Sequence, residues 1–159
     1  KNSLTSSKVE ELSGRSINER AGSFRPWKRT RPMTIATLEH VNITVSDVDR
    51  TSRMLERIFG WHVRWKGPSI NNGQTAHVGT DTAYIALYSP GETDEPDQVS
   101  YNVQGGLNHV GVIVDDLAAA ERRVLDAGFV THSHQTYDPG SRFYFHDYDN
   151  VEYEVLSYA

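Results

Sequence analysis

From residue 34 onward, apolar and polar positions follow two different periods in turn. Val41, Ile43 and Val45 alternate with His40, Asn42 and Thr44, the two-residue repeat of a half-buried strand. The spacing then changes. In "DVDRTSRMLERIFG", Val48, Leu55 and Ile58 form one apolar stripe, which predicts a helix capped by Ser46 or Asp47 and stopped by Gly60. Three further strands are predicted in "WHVRW", "TAHVGT" and "TAYIALYS". Residues 90–106, "PGETDEPDQVSYNVQGG", have the Pro, Gly and acidic content of a linker. Beyond it the order returns. "NHVGVIV" reads as a strand and "DDLAAAERRVLDAG" as a helix, with Asp115 or Asp116 as cap and Gly128 as stop. "FVTHSHQT", "RFYFHDYD" and "VEYEVLSY" complete the set.

The recurrence extends to individual residues. "LEHVNITVSDV" begins at Leu38 and "LNHVGVIVDDL" at Leu107, each with histidine in third place. A repeat of this kind decides the architecture. The expectation is an α+β fold of two βαβββ modules, residues 33–89 and 107–159, joined by the linker. One helix covers one face of each four-stranded sheet. The uncovered faces then pair into a cup-shaped, barrel-like sheet, with His40 and His109 looking in from equivalent first strands.

Charge separates off the beginning of the chain. The net charge of −5 divides into +5 over residues 1–32 and −10 over the rest. This first segment is polar, basic and mostly aperiodic. It is expected to be a non-catalytic arm, although "SSKVEEL" could form a short capped helix. An acidic body is a poor partner for nucleic acid. No apolar run approaches the ~18 residues needed to cross a bilayer, and the arm lacks the apolar centre of a secretory signal. A cytoplasmic protein with no membrane partner is the expectation. The absence of cysteine excludes disulfides, thiolate nucleophiles and Cys-based zinc sites.

The chemistry-bearing residues come from both modules. Glu152, Glu154 and Leu156 share one face of the last strand, opposite Val151, Tyr153 and Val155. A carboxylate among such neighbours is costly unless paired or metal-bound, and spacing alone leaves both glutamates open. Aligning "AYIALYS" with "VEYEVLS" places Ala86 opposite Glu154, so the repeat offers three donors: His40, His109 and Glu154. Two imidazoles and a carboxylate with open positions suit a catalytic divalent ion. The same cup could equally bind an organic ligand without metal. His132 and His134 alternate in "THSH", and His134 is a candidate proton carrier. Tyr144 could donate a hydrogen bond to the reacting centre or simply line the cup. Arg142 is a candidate for holding an anionic substrate group, or a solvated turn residue. Asn42 shares the open face with His40 and is a second candidate for substrate binding.

The two modules, the strand-opening histidines and the closing "YFHDYDNVEYEV" resemble the vicinal oxygen chelate superfamily, which includes glyoxalases, bleomycin-binding proteins, fosfomycin-resistance enzymes and extradiol dioxygenases. The resemblance spans residues 34–158. It implies metal ligands on the first and last strands of the modules, which falls on His40, His109 and Glu154. Ala86 at the fourth position resembles the two-His, one-Glu plan more than the four-ligand plan of glyoxalase I. Tyr144, Asp147 and Glu154 resemble the extradiol signature, with His134 the nearest fit to its preceding histidine. Tyr148 and Asn150 stand where that signature has Pro and Gly. What the resemblance implies is a small-molecule enzyme carrying one Fe, Mn, Ni or Zn ion that chelates substrate oxygens, dioxygenase-like in its ligand set. A glyoxalase-like lyase or isomerase, and a metal-free module sequestering an aromatic or antibiotic-like ligand, are the alternatives. It also implies a homodimer, with ligands drawn from one chain or from two.

Overall fold

A computed structural model describes residues 35–94 and 100–159; the basic arm, including "SSKVEEL", lies outside the described residues. Within them, Thr37–Ala159 form one compact unit. The first module runs β1 (His40–Thr44), α1 (Val48–Phe59), β2 (His62–Pro68), β3 (Gln74–Gly79) and β4 (Tyr84–Ser89). The second runs β5 (Val110–Ile113), α2 (Leu117–Asp126), β6 (Thr131–Tyr137), β7 (Gly140–His146) and β8 (Glu152–Ser157). The sheets have equivalent orders, β1-β4-β3-β2 and β5-β8-β7-β6. In each, the helical crossover sends the chain to the far edge. Antiparallel turns then bring the last strand back alongside the first, so β1–β4 and β5–β8 pair in parallel.

The helix boundaries have local causes. Asp47 Oδ1 accepts from the backbone N–H groups of Asp49 and Arg50 at 2.9 and 3.0 Å, satisfying two of the first-turn donors. Gly60 adopts φ +70° and its N–H closes on Glu56 O, the left-handed stop that a side chain would resist. In α2, Asp116 caps through Ala119 N at 2.8 Å. The backbone bonds to Asp47 hold its carboxyl below the usual value of 3.8, against a smaller effect of burial. Asp47→Ala is expected to cost about 1 kcal/mol at neutral pH. Because the folded-state pKa is lowered, the carboxylate's contribution is present above 3.8 and declines as pH falls through the folded value. Urea midpoints of both proteins at pH 7 and near pH 2.5 should therefore converge on acidification.

The core lies on the helix side of both sheets. Leu55 and Ile58 of α1, Val78 and Leu87 of the first sheet, Val124 of α2, and Phe143, Phe145 and Val155 of the second are all fully buried. The modules share this layer: Phe59 packs on Phe145 and Tyr153 with centroids 6.3 and 5.9 Å apart. Polar ties cross the same seam, since Arg123 Nε donates to Ile58 O at 2.6 Å and Arg57 to Asp126 O at 2.7 Å. The opposite faces of both sheets carry the polar residues. The sheets remain separate, so the arrangement is cup-like and not closed into a barrel. A cavity of about 310 Å³ lies between the outer edges of β1 and β5, lined by Leu38, His40, Tyr84, Gly111 and Ile113 among others. Among the described residues no helix is long and apolar enough to cross a membrane.

Candidate functional site

The open face of the second sheet gathers a cluster of ionisable side chains. Register places Tyr144 beside Glu154, and His146 beside Glu152, across the antiparallel β7–β8 pair. Gly111 is the parallel partner of Glu154, and its missing side chain keeps the floor open beside the carboxylate. His109 lies just ahead of β5.

Glu154 is the hub. Its Oε1 accepts from Arg142 Nη1 and from the Tyr144 hydroxyl, both at 2.9 Å. Its Oε2 faces His109 Nε2 at 3.2 Å. Arg142 and Glu154 are only 11% and 12% exposed, so this pair is largely screened from water. Arg142 also stacks over Tyr137 at 4.1 Å, while its Nε has no hydrogen-bond partner among the described residues. Burial, then the bond to Glu154, pushes the Tyr144 phenol above 10, so at neutral pH it stays a donor.

Tyr101 comes from a short 3-10 turn, Ser100–Asn102, in the predicted linker. Its hydroxyl donates to Glu152 Oε2 at 2.5 Å and lies 3.2 Å from His109 Nδ1. The bond to Glu152 is the main reason its pKa rises to about 12. With that proton committed to Glu152, the phenol oxygen accepts from Nδ1–H. With Nδ1 engaged in this way, His109 turns its Nε2 to Glu154 Oε2. Two acceptors at 3.2 Å require a cation between them, either a proton on Nε2 or a metal ion. An outer partner that fixes the tautomer of a ligating histidine is what metal sites use. The donor set fits a divalent ion on this observation.

A second group adjoins the first. His132 Nε2 lies 3.1 Å from His146 Nδ1, while Glu152 Oε1 is 3.7 Å from His146 Nε2 and 4.0 Å from His132 Nε2. One ligand atom from each of the three lies within 4.8 Å of the others.

The remaining expected residues fall elsewhere. His40 is on the first sheet, bonded through Nδ1 to Glu39 at 2.8 Å and stacked on Tyr84 at 4.9 Å. Tyr84 in turn stacks on His77, which lies against Trp65, so this face is an aromatic wall. Asn42 sits on β1 opposite Ala86, exposed. Neither makes a direct hydrogen bond with His109 or Glu154 among the described residues. His40 does line the cleft that reaches Gly111. The backbone irregularity between His132 and Gln135, with Ser133 at φ +52°, splits "THSH" between faces. His132 joins the open face. His134 turns to the helix side, where Nε2 meets Glu121 at 2.6 Å and the ring stacks on Phe143. It is therefore not beside Tyr144, as strict alternation predicts.

The sequence reading singled out neither Tyr101 nor His146. Alternation along β7 would have found His146, because Arg142, Tyr144 and His146 share one face. Nothing in the aperiodic linker marks Tyr101.

Comparison with known proteins adds the lineage. Residues 39–145 match the family model described as Glyoxalase/Bleomycin resistance protein/Dioxygenase superfamily. The chain belongs to that superfamily. Among solved structures, a glyoxylase/bleomycin resistance protein/dioxygenase domain from Frankia sp. EAN1pec is similar at 26% identity and TM-score 0.65, covering 78% of this chain and 98% of that one. A protein from the mobile metagenome of V. Pseudocholerae is similar at 27% identity and TM-score 0.59, covering 81% and 99%. The fosfomycin resistance protein FosX from Listeria monocytogenes, solved with Mn(II) and sulfate, shares the superfamily fold at 18% identity and TM-score 0.61, covering 78% and 93%. No curated protein matches.

Proposed function

We propose that this protein is a divalent-metal-dependent enzyme acting on a small molecule, with His109 and Glu154 as two ligands and His40 as the third. The observation that carries the reading is the 3.2 Å approach of His109 Nε2 to Glu154 Oε2, with Tyr101 turning Nε2 toward the carboxylate. The bound ion would act as a Lewis acid on substrate oxygens or, as Fe(II), activate dioxygen, for which two histidines and one carboxylate are suited.

The chain's own residues do the positioning. Arg142 and Tyr144 clamp Oε1, which fixes the carboxylate plane and leaves Oε2 to face inward. Tyr144, protonated at neutral pH, is placed to hand a hydrogen bond to a substrate oxygen near Glu154. Across the cleft, Trp65, His77 and Tyr84 offer a stacking surface for a planar substrate, with Asn42 beside it. His40 lines the cavity that runs from Tyr84 to Gly111. His134, bonded to Glu121, serves as a support for β6 on α2 and not as a proton carrier.

The cup is completed by a second copy of the chain. The unpaired edges of β1 and β5 expose Leu38 (75%) and Ile113 (64%), an apolar rim that a homodimer would cover. The site's ligands then come from one chain or from both. Mixing His40→Ala chains with Glu154→Gln chains decides this: activity regained in the mixture means that one site draws on two chains.

The aromatic wall also favours a second reading, metal-free sequestration of an aromatic ligand. Metal analysis with a substrate panel separates the two. Ring cleavage of a catechol restored by Fe(II) is the expected result, and isomerisation of a thiol hemiacetal under Ni or Zn would select the lyase instead. Protein that takes up none of Fe, Mn, Ni or Zn, yet binds a planar aromatic, would overturn the enzyme reading.

A further inference from the structure

The second cluster on this face has no part in the proposed site, and its electrostatics are unbalanced. Glu152 and Glu154 are both 12% exposed and lie two residues apart on one strand face, with Cα atoms roughly 7 Å apart. Arg142 serves Glu154 alone. Among the described residues Glu152 has one hydrogen bond, from Tyr101, and its nearest basic atoms are imidazole nitrogens at 3.7 and 4.0 Å. Those distances are too long for hydrogen bonds. Among the described residues no Lys or Arg side chain contacts this sheltered carboxylate, and two imidazoles are its nearest nitrogen donors.

From this we infer that His132, His146 and Glu152 form a second divalent-ion site, one that takes Zn(II) or a similar imidazole-preferring ion. The three donors come from adjacent strands, β6, β7 and β8, and all face the open side. One ligand atom from each side chain lies within 4.8 Å of the others, with His132 Nε2 3.1 Å from His146 Nδ1 and 4.0 Å from Glu152 Oε1, so small side-chain rotations would close them on an ion with bonds of about 2.0–2.1 Å. Three protein ligands leave a fourth position open toward the cup. The imidazole–imidazole contact at 3.1 Å also needs one of the two nitrogens to carry a proton. An ion would replace that proton and supply the positive charge that Glu152 lacks.

The backbone keeps the group together. The irregularity at Ser133 turns His132, and not His134, onto the open face beside His146. Tyr101 ties the far oxygen of Glu152 and so fixes which oxygen faces the histidines. The same phenol contacts His109, so the two ion positions share one second-layer residue.

This inference does not depend on the site at His109 and Glu154, and one experiment distinguishes their failures. Purified full-length protein is stripped with chelator and titrated with Zn(II) by calorimetry, and with Co(II) while its visible absorbance is read. Two ions per wild-type chain are expected, one in His146→Ala, one in His109→Ala and none in the double variant. His132→Ala should behave as His146→Ala does, and circular dichroism confirms that each variant is folded. A count unchanged by both His146→Ala and His132→Ala overturns the second site, whatever His109→Ala does. A count lowered by those two but not by His109→Ala keeps the second site and removes the first.

Discussion

Glu154→Gln is expected to abolish ion binding at the first site while leaving the protein folded, and Glu154→Ala to do the same at a large cost in stability. The difference lies in what each leaves around Arg142. Glutamine is close to glutamate in shape and keeps a carbonyl oxygen to accept from Arg142 Nη1 and Tyr144, now 2.9 Å from Oε1. It removes the charge that the ion needs. Alanine removes the acceptor as well and strands a guanidinium that is only 11% exposed. Breaking a pair this sheltered by deleting one partner costs about 3–5 kcal/mol, most of it the penalty of the unpaired charge. Loss of outer-layer partners typically lowers metal affinity about 10–100-fold, so deletion of a ligand should exceed about 100-fold. Calorimetric titration with Mn(II), alongside thermal melts of both variants, checks the two halves separately. Tight Mn(II) binding that survives in folded Glu154→Gln would remove Glu154 from the ligand set.

How far this site could be read from sequence depends on whether each residue sits in a period. His109 and Glu154 were legible because they occupy repeated places: a histidine opening the first strand of a module and an acid closing the last. Their register through Gly111 follows from the parallel pairing that the repeat implies. Glu152 was half legible, since alternation puts it on the same face and cannot rank it against Glu154. His132 and His134 defeated the reading because alternation assumes an unbroken strand. One residue at positive φ, Ser133, reverses the second histidine, and serine gives no warning of it. Tyr101 was illegible for the opposite reason. It belongs to a segment with no period, and only its contacts with His109 and Glu152 give it a role.

His40 shows where the repeat leads and then stops. Symmetry equates it with His109, yet each histidine has a different partner. His109 meets a carboxylate of its own module, whereas the equivalent place beside β1 is Ala86, and His40 turns to Glu39 and Tyr84. The bond from His40 is the main reason Glu39 titrates below its usual range. Duplication therefore supplied two similar frames, and divergence at one strand position made the second sheet the polar half of the cup and the first the aromatic half. That asymmetry sets the ionisable face of the second sheet against the stacked rings of the first.

The largest effect on stability is expected from Phe145→Ala, because this residue joins the two halves. It is fully buried on the helix side of β7, between Tyr144 and His146, which face the cup. Its ring stacks on Tyr153 with centroids 5.2 Å apart and meets Phe129 at 5.7 Å and Phe59 at 6.3 Å. Phe59 belongs to the first module, so the cavity left by truncation would open at the seam. Removing a fully buried phenylalanine costs about 3–5 kcal/mol, the transfer of its ring plus the cavity that stays behind. For a unit of this size each kcal/mol lowers the melting temperature by roughly 3–4 °C, so a drop on the order of 10–20 °C is expected. The consequence for the site is indirect. Strand β7 carries three open-face residues, Arg142, Tyr144 and His146, on the same backbone that Phe143 and Phe145 anchor from below. A loosened β7 should weaken ion binding at both positions together, in contrast to the separate losses expected from His109→Ala and His146→Ala. Thermal melts of Phe145→Ala and Phe145→Leu test the packing half. The leucine variant should recover more than half of the lost stability. An alanine variant that melts within 2–3 °C of the wild type would show that the aromatic seam contributes little to joining the modules.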